Sequence, residues 1–97
     1  MNATRPAAVP KVQVDNERAS VTEWNFAPGA ETGWHRHQFD YIVVPEADGR
    51  LLIEARDGTS STSELKAHQS YFRRAGVEHN VINDGPVAFA FVEIEIK

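Results

Sequence analysis

The chain has 97 residues, the length of one small domain, with 10 Lys and Arg against 14 Asp and Glu and a net charge of −4. At 41% hydrophobic and 25% charged it has enough apolar surface to fold, and no apolar run approaches the roughly 20 residues that span a bilayer. The absence of cysteine excludes disulfides and thiolate metal sites, and the mildly acidic balance argues against nucleic-acid phosphates as a partner.

In chain order, residues 1–10, with Pro6 and Pro10, read as a flexible N-terminal arm, and residues 11–97 as a single domain. Ten Val and five Ile against three Leu favour a pleated sheet, because β-branched side chains lose rotamer freedom in a helix. Strands are predicted over 11–15, 19–27, 34–37, 40–44, 50–56, 63–67, 70–73, 77–82 and 87–96. Asp48-Gly49, Asp57-Gly58 and Asp84-Gly85 are hairpin signals, since Gly there admits φ > 0. The stretch 57–63 (Asp-Gly-Thr-Ser-Ser-Thr-Ser) reads as a polar loop. So many short strands in one small chain predict an all-β fold, a small antiparallel β-barrel or jelly roll. No basic start followed by an apolar stretch is visible, which fits a cytoplasmic protein and predicts no membrane partner.

The histidines carry the chemical signal. His35 and His37 are two apart, so on a strand both imidazoles leave the same face, with Gly33 leaving room beside them. His79 lies in Val77-Glu78-His79-Asn80-Val81, a strand pattern whose Val77 and Val81 share its face. By residue type alone these are either metal ligands or packed and surface histidines. No Cys, no G-x-S-x-G elbow and no phosphate-cradling glycine loop is present.

From Gly29, five residues lead to His35-x-His37, with Gly49 beyond, and Gly76, His79 and Asn83 follow as G-x2-H-x3-N. Over residues 20–97 this resembles the two sequence motifs of the cupin superfamily, and in particular the small single-domain cupins associated with β-alanine degradation. The resemblance implies a small antiparallel β-barrel with a metal held by His35, His37 and His79. It also implies that the H-x-H strand and the His79 strand face each other across the barrel. The family's Glu, four or five places after the second histidine, is missing; Tyr41 and Ile42 stand there. An unbroken strand places 35, 37, 39 and 41 on one face, with Tyr41 inside an all-histidine site; a bulge would bring in Asp40 as a rival fourth ligand. Arg74 stands in place of the second motif's Pro, and His68, in place of its leading Gly, reads as a loop residue.

Three neutral imidazoles suit a divalent transition metal, Fe, Ni or Zn foremost and Mn, Co or Cu besides. With no carboxylate ligand, the ion's full charge favours a small anionic chelating molecule. The expected function is a metal-dependent enzyme acting on such a metabolite, dioxygenase chemistry being one class the resemblance implies. The alternative is a non-catalytic binding or sensing module with a bound metal. Tyr41 is the candidate catalytic residue, as a phenol donor to a bound oxygen. Phe39, Phe89 and Phe91 are expected to line the barrel, Arg73 and Arg74 to draw anions, and a homodimer to cover the sheet edges near 12–14 and 87–96.

Overall fold

The computed structural model describes residues 4–97. Among them are nine strands and no helix: β1 (Val9–Asp15), β2 (Ala19–Phe26), β3 (His35–Arg36), β4 (Asp40–Pro45), β5 (Gly49–Ala55), β6 (Ser60–Leu65), β7 (Tyr71–Arg73), β8 (Glu78–Asn83) and β9 (Phe89–Ile96). They make two antiparallel sheets, one in the order β1-β2-β9-β4-β7 and the other β3-β8-β5-β6. The two sheets enclose one core: Phe26, Tyr41, Val43, Phe89 and Phe91 from the first meet Leu51, Leu65 and Val81 from the second. Alternation along β4 selects this set, since Tyr41, Val43 and Pro45 are buried while Asp40, Ile42 and Val44 face the other way.

Several strand ends differ from the sequence expectation. β6 begins at Ser60, three residues earlier than predicted, so much of the serine-threonine stretch pairs with β5, from Glu54↔Ser60 to Gly49↔Leu65. As the outer strand of its sheet, β6 needs few apolar residues, and its polarity concealed it. Of the stretch expected to be a flexible arm, residues 1–3 lie outside the described residues. Beyond them, Ala8 is buried, its N–H donates to the Glu31 carbonyl, and Val9 and Pro10 already belong to β1. Pro10 is tolerated because β1 is an edge strand.

Of the three Asp-Gly pairs, Gly58 alone takes positive φ, at 89°. Gly49 is needed for a different reason: a Cβ there would stand 2.5 Å from the Phe89 ring. At the third pair, the buried Asn83 holds the turn, accepting from the Gly85 N–H at 3.0 Å and donating to the Val87 carbonyl at 2.8 Å.

Candidate metal centre

His35 and His79 are direct partners in the β3–β8 ladder, so the strands that carry them are hydrogen-bonded neighbours in one sheet. This corrects the expectation that they oppose each other across the barrel. Side chains directly opposite in an antiparallel pair leave the same face with Cβ atoms about 5 Å apart, which brings two imidazoles together from residues distant in sequence. His37 continues the pairing one step further, its N–H on the Val77 carbonyl and its own carbonyl accepting from Gly76, both at 2.8 Å. The chain then bends at Gln38 and Phe39 and crosses to the other sheet as β4.

The three rings converge. His37 Nε2 lies 3.0 Å from His35 Nε2 and 3.2 Å from His79 Nε2. Two nitrogens each about 2.0–2.1 Å from a common ion, at ordinary coordination angles, are themselves about 2.9–3.4 Å apart. The tautomer of His35 fits as well. Its Nδ1 is 2.9 Å from the Gly33 carbonyl oxygen, which can only accept, so Nδ1 carries the proton and Nε2 turns a lone pair to the centre. Three neutral imidazoles crowded in this way leave lone pairs facing one another, a conflict that a shared cation relieves. The donor set therefore fits a divalent transition metal.

Burial keeps His37 and His79 neutral. Desolvation, then the neighbouring His35 and His79, lowers His37 to about 3. Desolvation, then His35 and Arg73, lowers His79 to about 4. Tyr41 is buried against His37, its ring nearly parallel at 3.8 Å between centroids. Burial first, then the charge of Glu93, pushes its phenol well above the usual range, so it remains a proton donor. Asp40 points away from the histidines and accepts the Ala75 N–H at 2.8 Å. His68 sits exposed in a turn at φ 64°, the left-handed conformation for which glycine is the easier residue.

A polar relay behind β8 orients His35. The buried Asn80 amide accepts from the Gly33 N–H at 3.0 Å and donates to Glu31 at 2.8 Å and Glu54 at 3.0 Å. Arg5 pairs with both carboxylates, and the Asn80 bond, followed by Arg5, holds Glu31 below its ordinary pKa. Gly33 can present its N–H to Asn80 and its carbonyl to His35 because it sits at φ 85°. No local pattern announces this relay, which joins residues 5, 31, 33, 54 and 80.

In front of the histidines lies a cavity of about 260 Å³. Val43, Leu51, Ile53, Val81 and Phe91 give it apolar walls, and Tyr41, Tyr71, Arg73 and Glu93 give it polar ones. The Arg73 guanidinium rests 4.8 Å over the Tyr71 ring. Arg74 is exposed, and Phe39, half-buried on the bend, lies outside the core cluster. Sequence reasoning missed Glu93 and Glu95, although the signal was present: 89, 91, 93 and 95 share one face of β9, so the face carrying Phe89 and Phe91 continues into two carboxylates. Desolvation, then the neighbouring Glu95, raises Glu93 to about 7. With His37 these two carboxylates form a second set of donor atoms within 4.8 Å of one another.

A family model described as Cupin_2, cupin domain, matches residues 22–95. Over 93 residues the chain is 61% identical to the β-alanine degradation protein BauB of Pseudomonas aeruginosa PAO1, an alignment covering 96% of this chain and 97% of that one. The crystal structure of a cupin domain from Bordetella pertussis Tohama I superposes with a TM-score of 0.94 at 59% identity, covering 99% of both chains. A double-stranded β-helix protein from Klebsiella pneumoniae MGH 78578 shares the fold at 22% identity, with a TM-score of 0.75 over 98% of this chain and 81% of that one.

Proposed function

Because the chain belongs to the cupin domain family, we propose that it is a metal-dependent enzyme acting on a small anionic metabolite through His35, His37 and His79. The observation that carries this reading is the convergence of the three Nε2 atoms at 3.0 and 3.2 Å, with the His35 lone pair turned inward. The histidines would hold Fe, Ni or Zn, or one of their late first-row neighbours. When bound, the ion supplies Lewis acidity and, if it is iron, redox chemistry with O₂. The name of the 61% identical BauB supports a setting in β-alanine breakdown.

The chain's own groups have separate parts. The apolar walls exclude water from the reacting end of the ligand. Tyr41 offers a proton from a phenol that burial keeps neutral, in the role of a donor to a ligand oxygen. Arg73 at the wall favours entry of an anion.

We propose further that the working unit is a homodimer. On the outer face of the larger sheet one register row is apolar across all five strands: Phe72, Ile42, Ile94, Val21 and Val14. Phe72 and Val14, at its two ends, are 47% and 43% exposed. A two-fold axis through this face sets the large end of one row on the small end of the other.

Metal analysis of untagged protein by plasma mass spectrometry tests the metal reading. About one transition-metal ion per chain is expected in the wild type and its loss in His37→Ala, with oxygen uptake as the next assay if the ion is iron. Wild-type protein that takes up no metal on reconstitution overturns it.

A further inference from the structure

Two charged side chains face the cavity, and among the described residues neither has a counter-charge. Glu93 and Arg73 take part in none of the six ion pairs. Among the described residues no buried side-chain oxygen or nitrogen is sealed off without a partner, so the half-buried Glu93 carboxyl opens toward the cavity that it lines. The two residues stand on strands that flank β4. Arg73 is opposite Tyr41 on β7, and Glu93 is opposite Val43 on β9. Their backbones are therefore two strand spacings apart and staggered by two residues, roughly 12 Å, with the tyrosine stacked on His37 carried on the strand between them. That span leaves room for a small molecule and keeps the two charges from neutralising each other.

Glu93 has the like-charged Glu95 and the ring of His37 for neighbours, and a carboxylate so placed in a half-buried wall is costly unless something of opposite charge meets it. The opposite wall and the histidine centre call for negative charge; Glu93 calls for positive charge. We propose that Glu93 and Arg73 select the ligand's charge pattern, so that the cavity takes a small amino carboxylate with its ammonium on Glu93 and its carboxylate toward Arg73 and the histidines. The proposal rests on reading the histidines as a metal centre for small acids, and adds which small acids. A dicarboxylate sets like charge against Glu93. A simple alkyl acid leaves Glu93 unpaired, and sites built to bond a ligand group reject analogues that lack it.

Calorimetric titration of the zinc-loaded, untagged protein with three-carbon acids tests this. The probes are β-alanine, propionate and malonate, whose third carbon bears an ammonium, is a methyl, or is a second carboxylate. β-Alanine is expected to bind at least about tenfold tighter than the other two, as a charged hydrogen bond provides. In Glu93→Gln that preference should fall to within about threefold while propionate affinity and zinc content hold. Arg73→Gln should weaken all three acids by about the same factor. A wild type with no preference for β-alanine, or a preference that survives Glu93→Gln, overturns the proposal. So does zinc lost from Glu93→Gln, which would make Glu93 a metal ligand instead. Zinc content measured on the same samples keeps the two readings apart. A wild type that takes up no zinc overturns the metal reading and this one with it, whereas a zinc-loaded wild type without the preference overturns this one alone.

Discussion

The Asn80 side-chain oxygen accepts the Gly33 N–H at 3.0 Å, and through Gly33, whose carbonyl meets His35 Nδ1, it governs the orientation of a histidine it does not touch. Groups that orient a metal-bound histidine typically change affinity 10–100-fold when removed. Asn80→Ala should therefore lower zinc affinity by about that factor in a chelator competition, with all three histidines in place. Glu31 and Glu54 also lose the amide between them, so the variant should unfold at lower urea concentration. Unchanged zinc affinity would show that packing alone orients His35.

Glu93 and the histidines pull the metal-free protein's stability in opposite directions with pH. His37 and His79 stand at about 3 and about 4 in the fold, below the ordinary 6.5. Their contribution is complete above pH 6.5 and is lost as pH falls toward 4. Glu93 stands at about 7, above the ordinary 4.5, so its contribution is complete below pH 4.5 and is lost as pH rises through 7. Glu93→Gln removes only the second effect. In chelator-treated protein its stability advantage over wild type should be larger at pH 8 than at pH 5 by up to about 3 kcal/mol, read from urea unfolding. An equal difference at both pH values would mean that the Glu93 carboxyl is solvated.

What could be read from the sequence follows the range of the interactions. His35 and His37 were visible because strand alternation is local; Tyr41 does lie inside, but by the alternation of β4 alone, since the bend at Gln38 and Phe39 breaks the single strand expected to run from 35 to 41. The two sequence motifs pointed to His79, but only the β3–β8 register shows that it sits beside His35 instead of across the barrel. The Asn80 relay joins residues up to 49 apart through bonds that leave no periodic trace. β6 was placed late because an outer strand can be almost wholly polar. Glu93 and Glu95 could have been found, since they obey the same alternation that identified Phe89 and Phe91 as lining residues. Hydrophobicity guided the search for the wall and stopped it where the wall becomes charged.

Gly49 is held by packing, not by backbone freedom. An added Cβ would meet two Phe89 ring carbons at 2.5 and 2.6 Å, and Phe89 is buried in the core. The ring is held against Phe26 and Phe91, so Gly49→Ala should cost about 1–3 kcal/mol, as overpacking does. The urea midpoint should fall while the denaturant slope stays constant. Gly58 serves as the contrast, with open space around its absent side chain and a φ of 89°. There Asn, which tolerates left-handed backbone, should be nearly neutral. If Gly49→Ala were as mild as Gly58→Asn, the Phe89 ring must shift more easily than its burial suggests.

The apolar row across the larger sheet predicts its own disruption. Phe72, Ile42, Ile94, Val21 and Val14 lie side by side on the face turned away from the core, where a solitary sheet would carry polar residues. Ile94 stands at the centre of the row, on the strand paired on both sides by β2 and β4. A charge there meets its own symmetry mate or the partner's apolar row, and in either case is desolvated without a counter-charge. Ile94→Glu should therefore sediment as a monomer at micromolar concentration, where wild type runs as a dimer. The cavity lies on the opposite face of β9, so the variant should retain its metal and its far-ultraviolet circular dichroism. If wild type itself sediments as a monomer, the row does not mediate self-association. If Ile94→Glu remains dimeric, the copies meet elsewhere, with the exposed edge strand β1 the next surface to charge.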